Sequence, residues 1–438
     1  MNPASDESQT LGRTTLNSWQ QWISESLAQL QSRKQRRFLR PATVSSISPV
    51  EVLIGREDWN SWLGELSTLG EAPVLEQGEE KQRSLVLFSS NDYLGLSTHP
   101  EICRAASECA TLYGLGVRSS PLVAGFSHLH SDLEAALAQL KGTEDCLLFS
   151  SGFSANLSSV GALAADPQVD VFSDELNHAS IIDGARLAAR GRVDVYRHND
   201  TGHLEDLLKA KRSSGRRQLV VTDSLFSMDG DFAELKALAA LRRKYGFLLA
   251  VDEAHATLVC GPGGGGAAEA AGVASEVDLH IGTLSKAVGA HGGFVACSSQ
   301  AKAWLLNKGR AYVYSTALPA PVAAAALEAV GVAAREPWRR RHLWDLVERF
   351  GRAAGVAAHS PIVPVIFGSE ERALRASGAL LREGFHVPAI RPPTVPQGTC
   401  RLRVALSAAH STEQVDALAE AIGSLSGMEC DEHVSAKL

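Results

Sequence analysis

The sequence predicts an α/β fold, a mostly parallel sheet covered by helices, with a smaller α+β unit after it. Three observations predict it. From about residue 85, short apolar runs alternate with segments of helix length. One such segment, "DFAELKALAALRRKYG", repeats its apolar residues at helical spacing and ends in glycine, which closes helices readily. Near residue 331 the rhythm of runs and segments changes again. Alternation of strand and helix puts successive strands parallel, with the helices on the faces of the sheet.

In chain order, residues 1–84 are polar and partly helical and include Trp59 and Trp62. A large domain over 85–330 holds the runs expected as strands: "CLLFSS", "VDVFSD", "VDVYRH", "QLVVTDSLF", "FLLAVDEAH", "VDLHIGTLS" and "GGFVACSS". The "GPGGGG" at 261–266 lacks the lysine and hydroxyl of a phosphate loop and reads as a flexible connection. A small α+β domain over 331–427 offers "SPIVPVIFG", "HVPAIRPPTVP" and "CRLRVALS" as strands. Its helices are "EERALRASGALLREG" and "STEQVDALAEAIGSL", and residues 428–438 read as a flexible tail.

Composition removes several classes of function. A length of 438 residues with 45% apolar content supports a large core, and a net charge of −7 without a long basic run argues against nucleic acid as partner. The most apolar stretch, "PAPVAAAALEAVGVAA", is alanine-rich and carries Glu328, so no membrane span is expected. The seven cysteines are scattered and never spaced CxxC, which suits a reducing compartment and no structural metal. The N-terminus, with Asp6 and Glu7 and no hydrophobic stretch, reads as neither a secretory signal nor a transit peptide.

Ligands of a parallel α/β sheet bind beyond the carboxyl ends of its strands. There the sequence places Asp252 and His255 after "FLLAV", Asp223, Ser224 and Ser227 after "LVVT", and Thr283 and Lys286 after "VDLHIG". An aspartate, a histidine, a serine and a lysine on one rim suit pyridoxal phosphate chemistry. The lysine is held as an imine to the cofactor aldehyde, and a carboxylate keeps the pyridine nitrogen protonated so that the ring accepts electrons. Asp252 fits that carboxylate, while His255 and Ser227 reach toward the phenolic oxygen. In "LLFSSGFSANLSSVGAL" a strand, a turn with Gly152 and Phe153, and a helix start near Ser154 offer a seat for phosphate. His178, in "DELNHASIIDGARL", falls near another helix start, where it either stacks on the cofactor ring or is incidental to a capped helix.

The stretches "FSSNDYLGLSTHP", "FSSGFSAN", "DELNHASIIDGARLA", "FSMDGD", "VDEAHATLVCG", "GTLSKAVGAHGG" and "VYSTALPAP" resemble, in this order, the α-oxoamine synthases. These are fold-type I pyridoxal phosphate-dependent transferases that join an amino acid to an acyl-coenzyme A with loss of carbon dioxide. The resemblance runs from about Ser89 to Ser426. "AIRPPTVPQGTCRLRVALSAAH" narrows it to the member of biotin synthesis that condenses L-alanine with pimeloyl-coenzyme A or a pimeloyl carrier.

The resemblance implies roles residue by residue. Lys286 matches the cofactor lysine, Asp252 the partner of the ring nitrogen, and His178 the stacked histidine. Ser227 and His255 match the groups near the phenolic oxygen, Thr283 a phosphate contact, and Gly152 with Phe153 the phosphate-side turn. Arg391 resembles the arginine that takes the amino-acid carboxylate, and Thr394, Arg40 and Asn91 resemble substrate contacts. "VYSTALPAP" implies a homodimer in which Ser315 or Thr316 reaches the neighbouring subunit's phosphate. Residues 41–84 depart from the compact pattern by an insertion, and "GLGVRSSPLVAGFSHLH" departs from a more glycine-rich family stretch. Relatives that use glycine or serine, and a catalytically silent subunit, are the alternatives. The last residues, Ala436-Lys437-Leu438, are a close variant of the Ser-Lys-Leu peroxisomal address, so import by its receptor is expected in a eukaryote and a cytoplasmic location otherwise.

Overall fold

The structure, a computed structural model, describes residues 4–45, 48–64, 66–69, 82–189, 192–212 and 215–425. The tail with Ala436-Lys437-Leu438, and residues 70–81 of the segment read as an insertion, lie outside them.

The strands are β1 (Thr43–Val44), β2 (Glu51–Gly55), β3 (Gln82–Leu87), β4 (Asp145–Phe149), β5 (Val169–Asp174), β6 (Val193–Tyr196) and β7 (Arg217–Asp223). They continue as β8 (Leu248–Asp252), β9 (Leu279–Thr283), β10 (Gly293–Cys297), β11 (Ile362–Gly368), β12 (Phe385–His386), β13 (Ala389–Ile390) and β14 (Cys400–Ala405). All the runs expected as strands in the large domain meet in one sheet of order β4-β10-β9-β8-β7-β5-β6. Its pairs from β9 through β6 are parallel, and β10 alone runs against its neighbours β9 and β4.

The sheet is covered on both faces, which is why its strands read as apolar runs rather than alternating ones. Side chains of a strand point to opposite faces in turn, and the two cores divide accordingly. Leu147, Phe149, Val171, Leu219, Val221 and Ile281 pack on one face. Cys146, Leu148, Phe172, Val220, Leu249 and Val251 pack on the other. The helix Leu235–Tyr245 stops at Gly246, whose φ of 74° is the left-handed conformation a helix-ending glycine supplies.

Two parts differ from the sequence reading. The N-terminal segment, read as partly helical, also carries β1, β2 and β3, and β3 pairs in parallel with β12 near the other end of the chain. Val52 and Ile54 of β2 join Trp59, Trp62, Leu85 and Leu381 in a third apolar cluster. A tryptophan pair in a polar stretch therefore marks a docking face, which explains why the segment folds back on the C-terminal part.

The glycine run at 261–266 is not a flexible connection but a loop wrapped on two carboxylates. Glu269 accepts from the backbone N–H groups of Gly263 at 3.0 Å and Gly265 at 2.7 Å. A Cβ on Gly266, which has φ of 118°, would run into the Glu253 carboxylate. The glycines are there because backbone and carboxylate meet too closely for a side chain.

Candidate active site

β7, β8 and β9 lie side by side and deliver their carboxyl ends to one rim, with Asp223 opposite Asp252 and Asp252 opposite Ile281. Lys286 follows β9 in a short turn. Its Nζ donates to Nε2 of His255 at 2.8 Å. Behind His255, Nδ1 faces the Tyr93 hydroxyl at 2.6 Å, and that hydroxyl donates to Asn91 Oδ1 at 3.1 Å. A hydroxyl carries one proton, so the Tyr93 oxygen accepts from Nδ1–H and leaves Nε2 free to accept from the lysine.

The electrostatics agree with a neutral histidine. Burial, together with the charges of Lys286 and Arg403, pushes its pKa well below the ordinary imidazole value. Burial lowers Lys286 to about 8, with Asp252 and Asp223 opposing the shift and Arg403 adding to it. An amine with that pKa is still mostly protonated at pH 7, but its neutral fraction, roughly a tenth, is far larger than that of an ordinary lysine, as a nucleophile or base requires.

Asp252 is 5% exposed and accepts from Asn156 Nδ2 at 2.5 Å and from the Ala254 N–H at 2.8 Å. Its neighbour Asp223 accepts from the His178 N–H at 2.7 Å. Burial and the Asp252 charge push the Asp223 carboxyl well above its usual range. His178 lies at the start of the helix Ala179–Ala189, its Nδ1 2.7 Å from the Ser180 hydroxyl. Loss of hydration lowers its pKa, although the residue keeps an exposed edge, and the Asp252 charge partly opposes the shift.

The phosphate side is built from the helix Gly152–Ala164, capped by Ser151, whose hydroxyl accepts from the Ser154 N–H at 3.1 Å. A Cβ on Gly152 would come within 2.9 Å of Thr283 Cβ, so glycine lets the helix start close onto β9. Thr283 and Ser285 hydroxyls lie 2.8 Å apart beside it. Phe153 is 43% exposed, with its ring edge-on to His178 at 6.3 Å. Hydroxyls and free N–H groups of a helix start seat a dianion. A buried lysine of lowered pKa, a carboxylate at the opposite side and an open aromatic wall complete the donor set that pyridoxal phosphate needs. The residues fit the group.

Not every expected residue meets at this centre. The arginine whose charge acts on Lys286 and His255 is Arg403, which sequence reading had not singled out. Its Nε donates to the Ser227 carbonyl at 2.5 Å, and both terminal nitrogens lie 3.3 Å from Asn91 Oδ1. Arg391 is buried in the turn before Thr394, whose N–H donates to the Arg391 carbonyl. Arg37, rather than Arg40, approaches the Thr394 hydroxyl, at 3.4 Å, while Arg40 lies 3.3 Å from His386. Ser315 and Thr316 line a surface pocket with Pro121, Phe126, His130 and Tyr312. Tyr93 and Asn156 were also missed, whereas Asp223 had been placed on the rim without a role. The signal for Arg403 was its place in "CRLRVA", where alternation in β14 puts Arg401 and Arg403 on one face.

The profile of the aminotransferase class I and II family matches residues 83–422. The chain is 45% identical over 456 residues to an 8-amino-7-oxononanoate synthase of Arabidopsis thaliana, covering 93% of this chain and 95% of the relative. A lysine-to-alanine variant of serine palmitoyltransferase from S. paucimobilis, solved with a bound pyridoxal phosphate–myriocin aldimine, superposes with a TM-score of 0.80 at 28% identity, covering 94% of this chain and 98% of that one. An 8-amino-7-oxononanoate synthase from Francisella tularensis superposes with a TM-score of 0.67 at 26% identity, over 78% and 97% of the two chains. The fold is the fold-type I transferase fold, and pyridoxal phosphate is its cofactor. With the profile spanning most of its length and a relative alike almost from end to end, the chain belongs to the aminotransferase class I and II family, in the branch that the 8-amino-7-oxononanoate synthases occupy.

Proposed function

We propose that the chain is an 8-amino-7-oxononanoate synthase, an acyltransferase that joins L-alanine to a pimeloyl thioester with loss of carbon dioxide. The carrying observation is its 45% identity to the Arabidopsis thaliana relative over 93% of this chain. Bound at this site, pyridoxal phosphate supplies an electron sink for negative charge at the amino-acid Cα.

The chain's own residues do the rest. Lys286, with a pKa of about 8, takes the Cα proton on Nζ and later returns it. His255 Nε2 accepts from that amine and orients it, held in turn by Tyr93. Asp252 would hold the ring nitrogen of the bound cofactor, and Asn156 directs that carboxylate. The alanine carboxylate takes an arginine, and the proximity of Arg403 to Lys286 and His255 favours it over Arg391. Arg391, Thr394, Arg37 and Arg40 then serve the acyl thioester.

The working unit is a homodimer in this reading. Support comes from exposed apolar side chains around the Ser315–Thr316 pocket: Leu122 at 48%, Val123 at 80%, Phe126 at 44% and Tyr314 at 74% exposure. Apolar surface of that kind beside a polar site suits a partner copy. A serine-using reading draws on the serine palmitoyltransferase likeness. The test is a product assay offering alanine, glycine and serine against pimeloyl, acetyl and long-chain thioesters. Formation of 8-amino-7-oxononanoate at the highest kcat/KM supports the proposal, and preference for another pair overturns it.

A further inference from the structure

Hydrogen bonds on either side of His178 lead to the two carboxylates of the rim. Asp252 Oδ2 accepts from Asn156 Nδ2 at 2.5 Å, and the same nitrogen donates to the Ser180 hydroxyl oxygen at 3.0 Å. The Ser180 hydroxyl meets His178 Nδ1 at 2.7 Å. The backbone N–H of His178 returns to Asp223, which lies beside Asp252 in the paired strands.

The proton positions follow from donor and acceptor capacity together with the backbone of Ser180. An ionised carboxylate only accepts, so Asn156 must turn its amide nitrogen, not its oxygen, toward Asp252. Both amide protons are then spent, one on Asp252 and one on Ser180. The Ser180 hydroxyl accepts from Asn156 and has one proton of its own, which goes to His178 Nδ1 when that nitrogen is an acceptor. The Ser180 backbone N–H points at the same atom at 3.3 Å, which requires Nδ1 to be an acceptor. Asn156 and Ser180 are 1% and 0% exposed, so water does not compete for these bonds. The Asn156 Oδ1 has no partner among the described residues, a cost the amide bears only because reversal would set its oxygen against the carboxylate.

We infer that Asn156 and Ser180 are positioning residues that tie His178 to Asp252, fixing the orientation of its ring and the tautomer with Nδ1 as acceptor and the proton on Nε2. The charged groups acting on the ring are Asp252, Lys286 and Asp183. With pyridoxal phosphate bound, a His178 ring in this tautomer would face the cofactor without placing a second cation beside it. The tie depends on the cofactor site and not on which amino acid or thioester the enzyme takes.

The test uses the cofactor-loaded enzyme with 15N-labelled histidine and no substrate, so a wrong substrate assignment leaves it intact. In the parent, His178 Nδ1 should resonate as an unprotonated acceptor and Nε2 as a protonated nitrogen. Ser180→Ala should shift both toward the averaged pattern of a free imidazole, and Ser180→Thr, which keeps the hydroxyl, should restore the parent pattern. The absorption band of the bound cofactor should move in the alanine variant and return in the threonine one. Asn156→Ala should act as Ser180→Ala does; if it fails to fold, the Ser180 pair decides alone. Parent-like His178 resonances in Ser180→Ala, or alanine-like ones in Ser180→Thr, overturn the inference.

Discussion

The Lys286 amine lies 2.8 Å from His255 Nε2, an imidazole held by Tyr93 in the tautomer that accepts from it. The nearest acceptor is thus a neutral nitrogen instead of a carboxylate, and a neutral partner leaves the amine free to lose its proton. With Lys286 at about pKa 8, the rate at which cofactor-free enzyme captures pyridoxal phosphate should rise with pH and level off above about 8. Stopped-flow absorbance checks it; a rate still climbing through pH 10 would mean that the lysine keeps its ordinary basicity. Lys286→Ala should abolish turnover and the borohydride fixation of cofactor to the chain.

Arg403 and Arg391 separate by kinetics. Arg403→Ala removes a charge-assisted contact worth roughly 1.5–3 kcal/mol, so the KM for alanine should rise about ten- to a hundredfold. Arg391→Ala should act mainly on the KM of the thioester. The reverse pattern would return the carboxylate to Arg391.

Much of this site was legible in sequence because strand ends carry it. Asp252, His255, Thr283 and Lys286 each follow an apolar run, and parallel pairing turns that local fact into one rim. What was not legible were the residues acting through others. Asn156 looked like one polar residue inside a helix, and only the packing of that helix on the sheet and against Ala179–Ala189 brings it to Asp252 and Ser180. Tyr93 and Arg403 come from segments far apart in the chain. The glycine run at 261–266 read as slack because composition shows missing side chains but not the carboxylates that fill their place. β3 was hidden because its partner β12 lies near the other end of the chain, and β2 is held to the molecule through β3.

Sharing of the site across a dimer is testable by complementation. Lys286→Ala and the double variant Ser315→Ala/Thr316→Ala should each be weak alone. Mixed under conditions of proven subunit exchange, they should regain activity through hybrid dimers holding one intact site. No recovery despite exchange would place Ser315 and Thr316 outside the partner's site.

The turn that carries Asp252 and His255 is anchored from below. Lys141 and Glu253 side chains are both 0% exposed and pair at 2.7 Å, with Lys141 also donating to Thr257 at 2.9 Å and to the Gly265 carbonyl at 2.5 Å. His280 lies 2.9 Å from the same carboxylate, and Glu253 ends at a pKa of about 2 because these partners outweigh its burial. Lys141→Met leaves a buried carboxylate short of its main counter-charge and should cost roughly 3–5 kcal/mol in urea unfolding. Adding Glu253→Gln should recover part of that loss. A neutral single variant would show that His280 suffices.

On the far side of the site, His198 bridges Asp174 at 2.9 Å and Asp231 at 2.8 Å, with its ring edge-on to Phe226 at 4.4 Å. Burial alone would lower its pKa, but the hydrogen bonds and charges of the two carboxylates raise it to about 10. Asp231 ends the loop that begins at Ser227 and whose Asp229 holds Arg401 at 2.5 Å, so this clamp steadies the strip beneath Arg403. A folded pKa above the unfolded value of roughly 6.5 means that the bridge stabilises fully below that pH. The contribution then falls steadily and is gone once the pH has risen through about 10. His198→Gln should therefore lower the Tm by a few degrees at pH 6, with the gap to the parent closing as pH rises toward 10. A gap that stayed constant across this range would assign the role of His198 to packing on Phe226, and not to its charge.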